Sequence, residues 1–118
     1  ACRAGTQTVR HDGFGEEFLS RYAWYQANSN RQPHPVGLLK PNDWGLFDIF
    51  GNALEWCLDR YDLQPTGDPV TSSKEAMRVV RGGSYSYSAG DLGSTKRMGV
   101  HVDSPLPDYG FRVIRTLR

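Results

Sequence analysis

Asn42-Asp43-Trp44-Gly45-Leu46-Phe47-Asp48-Ile49-Phe50-Gly51-Asn52-Ala53-Leu54-Glu55-Trp56 is the stretch whose reading decides how this chain folds. Gly45 and Gly51 bracket a short apolar and aromatic run, and Gly51-Asn52 then breaks the chain. Beyond the break, Leu54, Trp56 and Leu58 alternate with Ala53, Glu55 and Cys57, the period-two pattern of a β-strand. A helix competes here, because Asn52 followed three residues later by Glu55 resembles a capping box. The alternation favours the strand. Two further blocks follow in fixed order, Arg78-Val79-Val80-Arg81-Gly82-Gly83-Ser84-Tyr85 and Gly110-Phe111-Arg112-Val113-Ile114-Arg115. Each joins glycines to a short apolar segment, and each puts a polar residue where a plain core strand would not take one.

Outward from these blocks, Ala1 to Thr6 reads as the end of a helix capped by Gly5, and His11 to Gly15 as a turn. Phe18, Leu19, Tyr22, Ala23 and Tyr25 give residues 16–26 the pattern of a short helix or an irregular packed segment. Asn28 to Pro35 is a loop, Val36 to Leu39 a short extended piece, and Lys40 to Asp43 a turn. Asp59 to Ala76, with Pro65, Gly67 and Pro69, reads as a long surface loop. The second block is a strand interrupted by Gly82-Gly83, Ser86 to Ser104 is irregular, and Phe111 to Leu117 is a closing strand.

The chain has 118 residues, enough for one domain. Its net charge of +1, with basic and acidic residues interspersed, excludes the basic stripe of a nucleic-acid binder. No apolar run approaches the roughly 20 residues that span a bilayer, and no signal peptide leads the chain, so no membrane partner is expected. The start Ala1-Cys2-Arg3, without methionine, reads as a processed, excised or truncated piece. Two cysteines, Cys2 and Cys57, are too few for a disulfide scaffold and are expected as separate thiols rather than a bridge. Thirteen glycines and fourteen aromatic residues, with little sustained helical periodicity, suggest a loop-rich domain whose core is built from large rings.

Three groups of residues bear on chemistry. The turn at Gly51 could expose carbonyl groups to a hard cation, with Glu55 supplying the charged oxygen calcium prefers; the stronger reading from residues alone is a turn glycine and a glutamate that caps or pairs with an arginine. Arg81-Gly82-Gly83-Ser84 lacks the lysine and helix of a phosphate loop, and Gly-Gly-Ser-Tyr-Ser is not a nucleophile elbow. His11, His34 and His101 stand alone, without the spacing of a zinc site.

Taken together, the three blocks resemble the C-terminal half of the formylglycine-generating enzyme, or sulfatase-modifying factor, family. That family's pattern runs Gly-Leu-Tyr-Asp-Met-x-Gly-Asn-Val-Trp-Glu-Trp, then Arg-Gly-Gly-Ser-Trp/Tyr, then Gly-Phe-Arg. Ala1 to Thr6, Ala27-Asn28-Ser29 and His34-Pro35-Val36-Gly37 extend the likeness over almost the whole chain. The resemblance implies an α+β, C-type-lectin-like fold of the sulfatase-modifying-factor type, loop-rich with short antiparallel strands and N-terminally truncated. It follows that residues 1–118 are the C-terminal portion of such a domain, with exposed apolar surface or lowered stability where the usual core is missing.

The resemblance also implies sites. The family's calcium turn maps onto the carbonyls of Phe50, Gly51 and Ala53 and the side chain of Glu55; a second calcium site beginning at Asn28-Ser29 lacks its remaining ligands. The family's oxidase holds copper(I) on two cysteine thiolates, as a soft metal requires, three and eight residues after the serine matched by Ser84. Here those positions are Tyr87 and Leu92. Copper is therefore not expected, and the oxidase that makes formylglycine in sulfatases is expected to be dead. The favoured reading is a non-catalytic binding or scaffold module, fused to another domain in its native gene and open to self-association. The alternatives are the copper-dependent oxidase itself, iron chemistry of relatives that use histidines from another domain, and a ligand-display variable protein of a diversity-generating retroelement. For display of a protein or peptide ligand, the recognition surface would be Tyr85, Tyr87, Asp91, His101, Asp103 and Tyr109, since tyrosine gives contact area at low entropic cost.

Overall fold

A computed structural model of the chain describes residues 1–8, 10, 15–61, 77–104, 106–115 and 117. The strand foreseen after Gly51-Asn52 is β1 (Leu54–Arg60), and it continues through Asp59 and Arg60, which the sequence reading had put in a loop. β2 (Met77–Arg81) pairs antiparallel with β1 and stops at Gly82 and Gly83, both with positive φ. β3 (Arg97–His101) pairs antiparallel with β2, in a stretch expected to be irregular. β4 (Tyr109–Gly110) completes a sheet of order β3-β2-β1-β4.

Two expectations are corrected here. β4 runs parallel to β1, with Leu54 opposite Tyr109 and Glu55 opposite Gly110, so the sheet is mixed rather than purely antiparallel. The closing strand expected over Phe111 to Leu117 is confined to Tyr109–Gly110, because no described residue pairs with the segment beyond Gly110. The helical alternative for Asn52 to Glu55 also fails: Asn52 sits at φ 62°, and its side chain is engaged elsewhere. The turn expected at residues 11–15 and the loop at 59–76 lie mostly outside the described residues.

Apart from the sheet, the described residues form turns and two single 3-10 turns, Leu19–Arg21 and Ala89–Asp91. The N-terminal segment is a turn, with the Ala4 and Thr6 amides donating to the Ala1 and Arg3 carbonyls and Gly5 at φ 88°.

The core has two parts. Leu19, Ala23, Tyr25, Phe50, Ala89 and Leu92 form one, with Cys2, Ile49 and Tyr87 packed against it. Leu54, Val80 and Val100 form the other, on one face of the sheet, with Trp56, Tyr87 and Tyr109 around them. Tyr87 touches both and joins the sheet to the turns. Fully burying a single Leu or Val side chain is worth about 1.5–3 kcal/mol, so the two clusters account for much of the cohesion.

The link between the halves is the turn at Gly51. Gly51 has φ 74°, the left-handed region that costs a residue with a Cβ. A methyl group there would also meet the Trp24 backbone, 2.9 Å from its carbonyl carbon and closer still to the oxygen. Gly45 has nearly the same φ, 76°, but open space around it. Gly45→Ala should therefore cost about 1 kcal/mol, the backbone penalty alone. Gly51→Ala should cost about 3 kcal/mol or more, because backbone must move. Urea denaturation of the two variants beside the parent checks this; equal costs would refute the close-approach argument.

Candidate functional site

Most of the residues singled out by sequence fall on two regions, on opposite faces of β1. The first is an open cavity of about 570 Å³ beside the Gly51 turn, lined by Gly51, Asn52, Ala53 and Glu55 on one side and by Phe111, Arg112 and Val113 on the other. Asp48 lines it too. Of the four expected calcium ligands, Gly51, Ala53 and Glu55 border this cavity, while the Phe50 side chain lies buried in the first core cluster.

Glu55 points into the reach of Arg112. The guanidinium grips the carboxylate with two nitrogens, Nη2 to Oε1 at 2.6 Å and Nε to Oε2 at 2.9 Å, and donates from Nη2 to the Asp48 carbonyl at 3.1 Å. Glu55, expected either to serve calcium or to pair with an arginine, is paired with Arg112. The bonded Glu55 carboxylate raises the Arg112 pKa, against the opposing pull of partial burial. A bidentate, half-buried pair of this kind is stronger than an exposed ion pair.

Asp48 changes the charge balance. It is 8% exposed, one carboxylate oxygen accepts the Gly37 amide at 2.7 Å, and the other is buried with no hydrogen-bond partner among the described residues. Two carboxylates and one guanidinium at the cavity leave one negative charge unmatched. An unsatisfied buried carboxylate oxygen is costly, and a cation beside it would remove that cost. Carboxylate and carbonyl oxygens are donors of the class a hard cation takes rather than a soft one, although among the described residues no three His, Cys, Asp or Glu side chains gather as a metal cluster.

The second region surrounds Ser84. Its hydroxyl is fully buried and donates to Asp108 Oδ2 at 2.8 Å, with the Ser86 hydroxyl at 2.9 Å. Its acceptor is the Asp108 carboxylate directly, with no imidazole among these contacts, and the bond ties Asp108 to the buried Ser84. Tyr109 follows Asp108 and meets the Trp56 ring edge-on at 5.3 Å between centroids. Tyr87 reaches the Met98 sulfur with its hydroxyl at 3.9 Å. Trp56, Val80 and Met98 stand opposite one another across three strands and so share one face.

The six proposed recognition residues are not one patch. Tyr87 and Tyr109 converge on the second core cluster, and Asp91, which accepts the Ser88 hydroxyl at 2.7 Å, lies near enough to act on Tyr87. Tyr85 is tied by its backbone, its amide donating to the Asn52 carbonyl and its carbonyl accepting from Ser29 Oγ. His101 and Asp103 form a separate pair, 3.7 Å apart. His101 lies three residues beyond Met98 on β3, about 10 Å along and on the opposite face. Asp108 and Trp56 belong to the tyrosine group and were not foreseen; no spacing in sequence connects Asp108 to Ser84, 24 residues away.

The two positions that the resemblance sets against the oxidase's cysteines, Tyr87 and Leu92, are both packed against the core. Leu92 is 1% exposed in the first core cluster, and its carbonyl accepts from the buried Arg10 guanidinium at 3.3 Å. Tyr87 bridges the clusters. Cys2 and Cys57 are unbonded thiols, in agreement with the expectation of separate thiols. Partial burial pushes the Cys57 pKa up, outweighing the nearby Arg81, so it stays a neutral thiol at neutral pH.

Burial raises the pKa of both Tyr87 and Tyr109, and the negative charge of Asp108 raises both further. The folded phenols hold their protons more tightly than the unfolded ones. That contribution to stability is complete below about pH 10, the ordinary tyrosine value, and is lost as pH rises through the folded values. In an absorbance titration, Asp108→Asn should move the late-titrating phenols back toward ordinary values. An unchanged profile would mean that Asp108 does not act on them.

The model of the sulfatase-modifying factor enzyme 1-like domain matches residues 1–117. The chain is 31% identical over 124 residues to the serine/threonine-protein kinase pkn1 of Chlamydia pneumoniae, covering 99% of this chain and 19% of that protein. It is 37% identical over 84 residues to the inactive C-alpha-formylglycine-generating enzyme 2 of Mus musculus, covering 66% of this chain and 24% of that protein. Among solved structures it is similar to Treponema denticola variable protein 1, with a TM-score of 0.80 and 35% identity over 93% of this chain and 41% of that one. The chain thus spans less than half the length of each relative named. With the loop-rich mixed sheet and the ordered Gly51, Gly82-Gly83 and Gly110 blocks, these likenesses establish that the chain belongs to the sulfatase-modifying factor enzyme 1-like domain family.

Proposed function

We propose that this chain is a non-catalytic binding or scaffold module built on the family's domain. The observation that supports this most is the packing of Tyr87 and Leu92. Where thiolates would have to face a copper ion and a substrate cysteine, a leucine is sealed in the core and a phenol joins two clusters. Neither side chain is a soft-metal ligand, and neither can form a mixed disulfide. Ser84 keeps its place but spends its hydrogen bond on Asp108. The kinase and the inactive enzyme among its relatives fit a domain that serves without the oxidase chemistry.

The surface that would do the binding is the group of Tyr87, Tyr109, Trp56 and Asp108, offered to a protein or peptide ligand. Likeness to a variable protein supports this display reading as the second choice. A reverse transcriptase gene and a template repeat beside the coding region would favour it; a domain fused to the coding region would favour the scaffold. The decisive assay presents a sulfatase-derived cysteine peptide to the purified chain with copper(I) and oxygen, read by mass. We expect no formylglycine above the no-protein control, and its appearance would overturn the proposal.

The cavity side of the module is proposed to take calcium on the turn of Phe50, Gly51, Ala53 and Glu55, with Asp48 supplying the unmatched charge. Bound calcium would neutralise and stiffen this turn. Calcium at about ten times its dissociation constant should raise the thermal midpoint by roughly 5–10 °C through mass action. Asp48→Asn and Glu55→Ala should each abolish the shift. No shift at millimolar calcium, or a shift that both variants retain, would count against the site.

A further inference from the structure

We infer that the aromatic group around Asp108 recognises a lysine side chain of the peptide ligand, which deepens the binding reading above and rests on it. Trp56, Tyr87 and Tyr109 all pack on the buried cluster of Leu54, Val80 and Val100, and each keeps part of its surface in water. The Trp56 and Tyr109 rings stand at 79° to one another, with centroids 5.3 Å apart. Two rings at nearly a right angle form a corner, and a compact cation in that corner meets the negative π face of both. Asp108 precedes Tyr109 in the chain, and its charge acts on both the Tyr87 and the Tyr109 phenol. Among the described residues no lysine, arginine or histidine forms an ion pair with Asp108, and no cation lies over the Trp56, Tyr87 or Tyr109 ring. One carboxylate and three π faces thus meet with no positive charge among them.

Ser84 decides which cation fits. Its buried hydroxyl, braced by Ser86, donates to Asp108 Oδ2 at 2.8 Å. That leaves Oδ1, which accepts no hydrogen bond among the described residues, as the oxygen open to a ligand. A guanidinium fork is matched by a carboxylate that offers both oxygens, whereas an ammonium is a compact point charge that one oxygen and surrounding rings can serve. Lysine also brings a long alkyl stem that lies well on apolar surface. Met98 supplies such surface: it is 38% exposed, shares a face with Trp56 and Val80, and has the Tyr87 hydroxyl 3.9 Å from its sulfur. The attraction is local, since the chain as a whole carries +1.

Capped tripeptides carrying lysine, norleucine or arginine between two glycines test this, titrated into the chain while its aromatic ring protons are followed by NMR. The lysine peptide should bind and move the Trp56 and Tyr109 signals. The norleucine peptide, which lacks only the charge, should bind about tenfold more weakly, and the arginine peptide should also bind more weakly than lysine. Asp108→Asn keeps an acceptor for the Ser84 hydroxyl, so its near-ultraviolet dichroism should not change, while lysine-peptide affinity should fall about tenfold. Trp56→Leu should cost roughly threefold. Asp59→Asn, at an exposed carboxylate further along β1, should change nothing. No binding of the lysine peptide, or full binding to Asp108→Asn, would overturn the inference. Equal affinity for lysine and norleucine would overturn it too while leaving a peptide-binding surface, and formylglycine in the assay above would sink the module reading without bearing on this titration. The titration is repeated on the whole product of the gene, since the chain spans less than half of each relative named. Binding that disappears there would overturn the assignment to a separate ligand and give the aromatic corner to the rest of the polypeptide.

Discussion

One tight contact organises this small domain: the left-handed turn Gly51-Asn52 pressed against the backbone of Trp24. The Asn52 amide donates to the Trp24 carbonyl, the Gly51 amide to the Gly82 carbonyl, and the Asn52 carbonyl accepts from the Tyr85 amide. The Asn52 side chain closes both sides of the His34 backbone, accepting its amide at 2.8 Å and donating to its carbonyl at 3.0 Å. The His34 ring then stacks on the Trp24 indole, 3.9 Å between centroids. Four stretches of chain distant in sequence are thus tied at two residues, and β1 leaves from the same point. In a domain with few ladders, these buried polar contacts do the work that long helices do elsewhere, since each buried group must find a partner.

This arrangement separates two surfaces. On one side of the turn lies the acidic cavity with Asp48, Glu55 and Arg112; on the other lies the aromatic group held by Ser84 and Asp108. The strand β1 connects them, since Glu55 and Trp56 are neighbours that point to opposite faces. A cation settling on Glu55 and a ligand settling on Trp56 would therefore act on the same short strand.

Legibility in the sequence followed the strength of the local signal. β1 could be read because Leu54, Trp56 and Leu58 alternate without interruption, although Leu58 turns out to face solvent. β3 could not, because a sheet-edge strand with Val100 as its one buried residue has no period to read. β4 is two residues long and its parallel pairing is set entirely by tertiary contacts. The glycine blocks marked the turns well, since positive φ leaves a compositional trace at Gly51, Gly82 and Gly83. Sites were less legible. Glu55, Asp48 and Arg112 all lie in the quoted blocks, but which arginine Glu55 takes and that Asp48 is buried beside it are set by folding alone, as is the bond that brings Asp108 to Ser84. His101 and Asp103 were grouped with the tyrosines by the likeness to ligand-display variable proteins, and the face alternation of β3 sets His101 on the side away from Met98.

Leu92 limits what its own position can become. Its side chain fills the space directly above Gly83, where a Cβ on that glycine would collide with it, and it is sealed by Tyr87 on the neighbouring side. A cysteine at 92 would be smaller and would leave a void in the first cluster, at a cost on the order of 1–3 kcal/mol before any new activity could be selected. A cysteine at 87 would remove the ring that holds the two clusters together. Placing either thiol alone is thus uphill. Packing alone therefore resists a thiol pair at these two positions, because the residues that occupy them help to keep the domain folded.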